Sequence, residues 1–577
     1  MQPQSQLLME KNKKGKERIS GSEAVLRSLI CEGVDLIFGY PGGAIMPVYD
    51  ALYDYQDKLH HVLTRHEQGA VHAAQGFARV TGKVGVCFAT SGPGATNTVT
   101  GIADAMIDST PMVVITGQVA SPLLGTDAFQ EIDVVGITQP ITKWNYLVKT
   151  AEEIPEAIAK AFYIASTGRP GPVVIDITKD AQFGEVDFDY EKVNHIRSYI
   201  PVPLTKPESV HDAIDIINSA KKPMALVGQG VILGHAEEEL REFLDKTGIP
   251  AAWTLLGMSA MPTDYPLNVG MLGMHGNYGP NVKTNECDVL IAIGMRFDDR
   301  VTGDVSKYAK QAKVIHLEID PAEVNKIIKA DVAVLGSVKD TLPALTKEVK
   351  GNTYPEWLAE FKACDKIEDE KVISGEVFPT QEGMTMGEVV HKVSKAFNDD
   401  AILVSDVGQH QMMASRYFNF KQSRSNVTSG GLGTMGFGLP AALGAALGAP
   451  DRDVCVFIGD GGFQMTIQEL GTIWQTRAKV KIIVLNNNFL GMVRQWQELF
   501  FDRRYASTEL MNPDFQMIAK GFGIESALVD SRDNLDSAIE TMAKHDGPYF
   551  LEVKVEKEGN VFPMVPAGSS VSDIRLE

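Results

Sequence analysis

Residues 459–491 read GDGGFQMTIQELGTIWQTRAKVKIIVLNNNFLG, and this stretch decides the fold of the chain around it. It places one acid, Asp460, among glycines after the apolar run VCVFI, and it ends the next apolar run, KIIVL, in three asparagines. Continuous apolar runs that alternate with helical patterns are typical of parallel strands buried on both faces. The residues between the two runs predict a single crossover helix, because apolar side chains recur at helical spacing: Ile467, Leu470, Ile473 and Trp474.

Asp460 and Asn487 are the candidate functional residues of this stretch. Open parallel sheets bind ligands beyond the carboxyl ends of their strands, and one crossover brings two such ends to the same edge. A carboxylate and an amide carbonyl are hard oxygen ligands that suit Mg²⁺, which keeps other positions for water and phosphate oxygens. Gly459, Gly461 and Gly462 have no Cβ and would let a diphosphate approach the main chain and the next helix. The stretch therefore predicts a metal that holds a diphosphate, with two unrelated strand-to-helix turns as the alternative.

The composition excludes several classes of function. The chain has 577 residues, 44% of them apolar and 22% charged, and a formal net charge of -20. This charge argues against nucleic acid and against an anionic membrane surface as partners. Five scattered cysteines without CxxC spacing are typical of buried thiols in a reducing compartment, and residues 1–18 carry acids but no apolar core of a targeting segment. We therefore expect a cytoplasmic protein.

Three blocks of alternating strand and helix patterns divide the chain. The first contains DLIFGYPGG, VGVCFATSGPG, MVVITGQ and GPVVIDI; the second contains PMALVGQG, VLIAIGMRF and KVIHLEID; the third contains AILVSDVG, DVCVFIGDGG, KIIVLNNN and YFLEVKV. Residues 190–209, polar and rich in proline, and the acidic residues 347–376 are interpreted as connections. The pattern predicts an α/β protein with three doubly wound parallel-sheet domains, over residues 18–185, 205–345 and 378–560.

The GDG motif followed at this distance by Asn487 resembles the diphosphate motif of thiamine-diphosphate-dependent enzymes. The resemblance implies that Mg²⁺ is bound by Asp460, Asn487 and the main-chain oxygen of Phe489. It also implies that Met435 lies under the bent cofactor, although a methionine there is also typical of core packing. The remaining residues implied to contact thiamine diphosphate are Gln409, His410, Gly433, Gly461, Gly462 and Leu490.

Glu67 is the candidate catalytic acid. The segment RHEQGA, together with GYPGG, TSGPGATN and TGQV, resembles the pyrimidine-binding domain of the same family. In that family a carboxylic acid in an apolar site contacts the aminopyrimidine ring and activates the cofactor. An isolated glutamate that opens a helix is more often only a cap. Because the family's acid reaches the cofactor of a neighbouring subunit, the resemblance implies a homodimer or higher oligomer with its active site at the subunit interface.

Almost the whole chain resembles the catalytic large subunits of the acetohydroxyacid synthase (acetolactate synthase) family, the type that contains FAD. The segment HGNYGPNVKTNECDVLIAIGMRFDDRVTG carries this resemblance in the middle block. It implies a Rossmann-like FAD-binding domain between two thiamine-diphosphate-binding folds, although RFDDR alone would also suit a surface ion-pair cluster. The residues implied to bind FAD are Arg169, Gly228, Gln229, Gly230, Thr254, Leu255, Gly273, Met274, His275, Gly294, Arg296, Asp298, Arg300, Glu318 and Ile319.

The resemblance also implies the reaction. Pyruvate would lose CO₂, and the two-carbon remainder would join a second 2-keto acid, pyruvate or 2-ketobutyrate. The products, 2-acetolactate and 2-aceto-2-hydroxybutyrate, lead to valine, leucine and isoleucine. A separate small regulatory subunit is implied as a partner. A pyruvate oxidase, a catabolic acetolactate synthase without FAD and a non-catalytic scaffold are the alternatives.

Five residues are implied to line the substrate pocket. A tryptophan in the pocket of the second 2-keto acid would favour the extra methyl group of 2-ketobutyrate. The alternative interpretation of the lysine, Lys179, is an ordinary surface residue, and that of the tryptophan, Trp496, is packing in the core. The chain departs from the family pattern at Met413, where many relatives have tryptophan. The substrate candidates are Phe129, Gln130, Lys179, Met492 and Trp496.

Overall fold

A computed structural model describes residues 17–577 of the chain. Residues 1–16, which bear most of the expectation about a targeting segment, lie outside the described residues. The chain forms two compact units: the first runs to Ala78 and includes Lys83–Ile200, and the second consists of Arg79–Gly82 and Pro201–Glu577. Within residues 17–577, no helix has the length and apolar character needed to cross a membrane. Four of the five cysteines are buried as predicted, but Cys31 is exposed.

The first unit contains a six-stranded parallel sheet in the order β3-β2-β4-β5-β7-β6, beside an antiparallel pair of β1 with β8. Its strands are β1 (Glu17–Ser20), β2 (Leu36–Gly39), β3 (His60–Leu63), β4 (Gly85–Ala89), β5 (Met112–Gln118), β6 (Trp144–Val148), β7 (Pro172–Thr178) and β8 (Glu185–Phe188). Its helices are α1 (Gly21–Glu32), α2 (Met46–Leu52), α3 (Glu67–Thr81), α4 (Pro93–Thr96), α5 (Val99–Ile107), α6 (Val134–Thr138), α7 (Ile154–Ser166) and α8 (Lys179–Phe183).

The second unit begins with a six-stranded parallel sheet in the order β11-β10-β9-β12-β13-β14. Its strands are β9 (Pro223–Val227), β10 (Ala251–Trp253), β11 (Asn268–Met271), β12 (Val289–Ile293), β13 (Lys313–Glu318) and β14 (Val332–Leu335). The helices of this part are α9 (Pro207–Ser219), α10 (Gln229–Leu233), α11 (Glu237–Thr247), α12 (Tyr278–Thr284), α13 (Asp299–Thr302), α14 (Val338–Glu348), α15 (Pro355–Glu368) and α16 (Ser374–Val377).

A third parallel sheet completes the second unit, in the order β16-β15-β17-β18-β20-β19. Its strands are β15 (Ile402–Ser405), β16 (Asn426–Thr428), β17 (Val454–Gly459), β18 (Val480–Asn486), β19 (Glu525–Val529) and β20 (Tyr549–Lys554). Its helices are α17 (Met386–Ala396), α18 (Gln409–Tyr417), α19 (Gly438–Gly448), α20 (Asp460–Met465), α21 (Leu470–Thr476), α22 (Gly491–Phe500), α23 (Phe515–Gly521) and α24 (Leu535–Lys544).

The strand orders confirm the predicted fold class. If the six strands of each sheet are numbered 1 to 6 in chain order, the first and third sheets both have the order 2-1-3-4-6-5, so they share one topology. The middle sheet has the order 3-2-1-4-5-6, which is the order of dinucleotide-binding sheets. In all three sheets the order reverses beside the first strand, and the loops at that edge are therefore the expected ligand sites.

Two local predictions were wrong. Residues 347–376 are not an open connection, because α15 continues through a π-helical segment, Asp369–Ile373, into α16. Trp357 of α15 is buried, and its Nε1 donates to the Pro223 carbonyl at 2.8 Å. The single crossover helix after Asp460 is divided into α20, a 3₁₀ turn and α21, and Trp474 is 42% exposed.

Candidate active site

Asp460 opens α20 directly after β17, and its side chain is buried. Its Oδ2 accepts a hydrogen bond of 2.6 Å from the Asn512 side-chain amide. Burial raises the pKa of Asp460 to about 6, and the Asn512 hydrogen bond opposes that rise. Burial disfavours the ionised form of this carboxylate, and a nearby cation would stabilise that form, so the position suits a metal ligand.

The three asparagines after β18 have three different roles. The strands β17 and β18 are adjacent and parallel, so Asp460 and Asn487 follow neighbouring strand ends, as the crossover predicts. Asn486 faces inward, where its Nδ2 donates to Glu552 at 2.8 Å. The Asn487 side-chain oxygen accepts from the Phe489 amide at 3.1 Å and keeps a second lone pair. Asn488 has a φ of 58°, a left-handed conformation that asparagine tolerates better than most residues.

Asn512 is a site residue that the sequence did not reveal. Besides its bond to Asp460, its Nδ2 lies 3.1 Å from Asn486 Oδ1 and 3.4 Å from Asn488 Oδ1. The side chain of Asn512 therefore joins the two strand ends through one amide nitrogen surrounded by three oxygens. Its loop carries no motif, and only the fold brings it to this edge.

His410, in the first turn of α18, offers a buried nitrogen to a ligand. Its ring is buried, and Nε2 has no hydrogen-bond partner among the described residues. Burial lowers the pKa of His410 to about 3, so the ring is neutral here. An anionic phosphate would favour the protonated ring, which donates from both nitrogens. This orphaned nitrogen fits the predicted diphosphate.

The glycines of the GDGG motif make room mainly for neighbouring side chains. A Cβ on Gly462 would lie 2.0 Å from a carboxylate oxygen of Asp406, a buried acid that accepts from the Gly436 amide at 2.9 Å. A Cβ on Gly459 would lie 2.9 Å from the ring of His410. Both glycines therefore have a packing reason for lacking a side chain, and their contact with a diphosphate stays a prediction.

Several other predicted cofactor residues surround this edge. Gln409 is buried and holds its neighbours: its Nε2 donates to Gln495 at 2.9 Å, and its Oε1 lies 3.4 Å from Asn487 Nδ2. Gln409 thus orients Asn487. The side chains of Leu490 and Met435 lie against Gly461, at 2.7 Å and 3.8 Å from the position of a Cβ there. Gly433 is exposed with a φ of 70°.

Glu67 opens α3 at the corresponding edge of the first sheet. It is buried, and its Oε2 accepts from Asn97 Nδ2 at 3.0 Å. A Cβ on Gly94 would lie 3.3 Å from its Oε1, so α4, which follows β4, approaches the carboxylate closely. His66 caps the helix instead, because its Nδ1 accepts from the Gln68 amide at 3.1 Å. The capping alternative therefore does not explain Glu67, and Asn97 emerges as its orienting partner.

The substrate candidates fall into two groups. Gln130 has a φ of 60° and packs against Gly92, whose Cβ would lie 2.9 Å from that of Gln130. Lys179 is half-buried and follows β7, on the same sheet edge as Glu67, whereas Phe129 is 88% exposed. The other two, Met492 and Trp496, belong to the second unit, on α22. Both are half-buried, and the Trp496 ring meets Phe500 edge to face at 5.8 Å.

A buried network in the first unit holds the loop that carries Gln130. Asp176 of β7 accepts from Thr116 Oγ1 at 2.7 Å and from Gln118 Nε2 at 2.9 Å. The same Gln118 nitrogen donates to the Ile132 carbonyl at 2.9 Å. Burial raises the pKa of Asp176 to about 7, although both hydrogen bonds lower it.

The Asp176→Asn variant is expected to change the pH dependence of stability. The folded pKa lies above the unfolded value of 3.8, so the stabilisation is complete below the unfolded value and is lost as pH rises to about 7. Between about pH 5 and about pH 8 the unfolding free energy of the wild type should fall by roughly 2–3 kcal/mol relative to that of the variant, whose amide does not titrate. Thermal unfolding of both proteins across this range measures it, and parallel curves would contradict it.

The candidate flavin residues of the second unit follow five neighbouring strands of the middle sheet. They lie after β9, β10, β11, β12 and at the end of β13, all on the carboxyl edge. At the reversal of strand order, a Cβ on Gly228 would lie 2.3 Å from the Gly294 carbonyl, so these strand ends need glycine. Arg169 belongs to the first unit, where its Nε donates to Ser109 at 2.8 Å. The set that the middle sheet assembles is Gly228, Gln229, Gly230, Thr254, Leu255, Gly273, Met274, His275, Gly294, Arg296, Asp298, Arg300, Glu318 and Ile319.

The two acids in this set accept hydrogen bonds from main-chain amides close to them in sequence. Asp298 caps α13 by accepting from the Arg300 and Val301 amides at 3.0 and 3.1 Å, and burial raises the pKa of Asp298. Glu318 is buried and accepts from the Ile319 amide at 2.9 Å. Arg296 is half-buried, but Arg300 and Asp299 are exposed and form an ion pair at 3.8 Å, so the alternative of a surface ion-pair cluster holds for that part of the segment.

Comparison with known proteins identifies the family. Profiles of thiamine pyrophosphate enzymes match the N-terminal TPP-binding domain at residues 19–137, the central domain at 210–345 and the C-terminal TPP-binding domain at 406–553. The chain is 46% identical over 557 residues to the acetolactate synthase isozyme 2 large subunit of Escherichia coli K12, covering 96% of this chain and 99% of that protein. The chain belongs to the acetolactate synthase large-subunit family.

Two further relatives span bacteria and archaea. The acetolactate synthase large subunit of Corynebacterium glutamicum is 47% identical over 572 residues, which cover 97% of this chain and 90% of that protein. The probable acetolactate synthase large subunit of Methanocaldococcus jannaschii is 44% identical over 571 residues, with 96% and 95% covered. In this member of the acetolactate synthase family, the two TPP-binding profiles match the parts of the chain that form the first and third sheets, which have the same strand order. Met413 lies in the hydrophobic core of the second unit.

Proposed function

We propose that the protein is the catalytic subunit of an acetolactate synthase. It releases CO₂ from pyruvate and joins the remaining two carbons to pyruvate or 2-ketobutyrate, which gives 2-acetolactate or 2-aceto-2-hydroxybutyrate for branched-chain amino acid synthesis. The observation that carries the proposal is the placement of Asp460 and Asn487 at neighbouring strand ends, in a chain similar to acetolactate synthase large subunits over almost its whole length.

The residues of the third sheet fit an anchored thiamine diphosphate. Asp460, Asn487 and the main-chain oxygen of Phe489 would hold Mg²⁺, since these are hard oxygen donors and the buried carboxylate needs a cation. His410 would bond the diphosphate through its orphaned Nε2. When bound, the cofactor supplies an acceptor for the electrons that pyruvate's carboxylate leaves behind. Met435 would support it from the side of Gly461.

Glu67 is proposed to hold a proton against the pyrimidine ring of the cofactor. Asn97 donates to Oε2, so it leaves Oε1 as the oxygen that faces the ligand. Burial removes competing water from the carboxylate, which strengthens its interaction with a ring nitrogen. Following the family resemblance, this cofactor belongs to a neighbouring subunit, and the protein forms a homodimer or a higher oligomer.

The middle sheet is proposed to bind FAD. Its strand order, its glycines at the reversal point and the half-buried Arg296 fit a dinucleotide at the carboxyl edge. The net reaction needs no oxidation or reduction, so the flavin serves structure. Two further parts of the proposal are a separate small regulatory subunit, which the relatives' large-subunit names suggest, and a location in the cytoplasm.

The test is an assay of the purified protein with thiamine diphosphate, Mg²⁺, FAD and pyruvate. We expect acetolactate to accumulate without oxygen uptake. Oxygen uptake in place of acetolactate would indicate a pyruvate oxidase. Full acetolactate synthesis by protein that binds no FAD would indicate the catabolic type.

Trp496→Leu is expected to reduce the preference for 2-ketobutyrate over pyruvate as the second substrate. The half-buried indole on α22 offers an apolar face to the extra methyl group, an effect of about 1–3 kcal/mol, or roughly 5–150-fold in the ratio of products. Competition between the two keto acids measures that ratio. Trp474→Leu is the control, because Trp474 lies on α21 against Gly523. Equal ratios in the Trp496 variant and the wild type would contradict the role.

A further inference from the structure

We propose that Arg416 and Glu368 are positioning residues that couple two cofactor sites, so that FAD and thiamine diphosphate strengthen each other's binding. They connect the flavin loop, residues 272–277 between β11 and α12, to the diphosphate helix, α18. The inference rests on the proposed function, which places FAD at this loop and the diphosphate at the start of α18.

Arg416 reaches from the last turn of α18 to the flavin loop. Its side chain is 1% exposed. One terminal nitrogen donates to the carbonyls of His275 and Gly276, at 3.3 and 3.1 Å. The other terminal nitrogen donates to Glu368 Oε1 at 2.5 Å. A single guanidinium therefore ties the third-sheet helix to the main chain of a middle-sheet loop.

Glu368 holds the far end of the same loop. It ends α15, and its side chain is as buried as that of Arg416. Its Oε2 accepts from the Tyr278 amide at 2.6 Å, and its Oε1 accepts from Asn277 Nδ2 at 3.0 Å. Asn277 Oδ1 in turn accepts from the Met271 amide at 2.8 Å. The ion pair thus contacts the second half of the loop directly, and Asn277 connects that half to Met271, just before the loop begins.

The helix carries the connection to the diphosphate site. His410 and Arg416 stand on the same short helix, about 9 Å apart along its axis. At its first turn, Gln409 orients Asn487, and His410 presents its orphaned nitrogen. Separating a buried ion pair leaves two uncompensated charges, so the loop and the helix have to order together. A ligand that orders one segment reduces the ordering cost that remains for the other, which is positive coupling.

Arg532 provides a control with the same kinds of partner, on a side chain that is 29% exposed. Its side chain also bridges two carbonyls and one carboxylate: it donates to Gln381 O at 2.6 Å, to Gly383 O at 2.5 Å and to Glu388 at 3.1 Å. None of these partners belongs to a candidate cofactor site. Arg532→Lys therefore reports what the loss of such a bridge does to the fold alone.

The experiment measures thermodynamic coupling by calorimetric titration. The Kd of thiamine diphosphate, with Mg²⁺, is determined on FAD-free and on FAD-saturated protein, and the Kd of FAD is determined with and without thiamine diphosphate. In the wild type and in Arg532→Lys we expect each cofactor to tighten the other by the same factor, about 5-fold or more. In Arg416→Lys and in Glu368→Gln that factor should fall towards one.

Two results would overturn the inference alone. They are independent binding of the two cofactors to the wild type, and full coupling in both Arg416→Lys and Glu368→Gln. Failure of the wild type to bind thiamine diphosphate or FAD would instead overturn the proposed function, and the inference with it. Because independent binding of the two cofactors to the wild type would by itself overturn the inference, the experiment remains informative even if one variant does not fold.

Discussion

Glu67→Gln is expected to abolish most acetolactate synthesis while the protein still binds thiamine diphosphate and Mg²⁺. The amide keeps the size of the side chain and its contact with Asn97, but it cannot hold a carboxylic proton against the pyrimidine ring. Proton transfer by a positioned side chain is worth about 10²–10⁴-fold in rate, and we expect a loss of kcat in that range. Steady-state rates and the Kd of thiamine diphosphate, measured together, separate this loss from a loss of binding.

A second glutamate gives the control for this variant. Glu156 is exposed in the first turn of α7, in the same unit as Glu67, and Glu156→Gln should leave kcat unchanged. Wild-type turnover in Glu67→Gln would remove the acid from the mechanism. Equal losses in both variants would point to a general effect of losing a helix-terminal charge.

Asp460→Asn is expected to weaken binding of Mg²⁺ and of thiamine diphosphate together. The change removes the one charge of the proposed ligand set from a buried position and keeps its shape. Loss of partners that only orient metal ligands costs about 10–100-fold in affinity, so loss of the ligand itself should exceed about 100-fold. Titration of each cofactor in the presence of the other measures the change.

Asp453, at the opposite end of β17 from Asp460, controls for the loss of a negative charge. It is exposed just before β17, at the amino end, whereas Asp460 follows the carboxyl end. Asp453→Asn should bind both cofactors as the wild type does. Unchanged cofactor affinity in Asp460→Asn would mean that the diphosphate is held elsewhere.

The sequence predicted most central strands of the three sheets, but it missed the edge strands and the short inner strand β10. The strands found from apolar runs include β4, β5, β12 and β18, which are buried along their whole length. The strands missed include the edge strands β6, β14 and β19, which are only partly buried. An edge strand contacts one neighbouring strand, and β6 and β19 keep polar residues, so they lack the continuous apolar run that marks a buried strand. This reason does not apply to β14, whose four residues are all apolar.

The site divides in the same way between local and non-local residues. Asp460 and Asn487 could be predicted together because one crossover links their strands. Asn512, Asp406 and the pair Arg416–Glu368 could not, since each reaches its partners only through the fold. Trp474 shows the opposite error: its helical spacing fits the core, but the broken crossover leaves it at the surface.

The most direct test of the account is the position of the divalent cation. A crystal of the protein grown with thiamine diphosphate and Mn²⁺ in place of Mg²⁺ gives, near the manganese absorption edge, an anomalous signal for the metal that is stronger than that of sulfur or phosphorus. The account predicts one peak at about 2.0–2.2 Å from a carboxylate oxygen of Asp460, the side-chain oxygen of Asn487 and the main-chain oxygen of Phe489. A peak away from these three atoms, with the diphosphate bound beside it, would contradict the central claim.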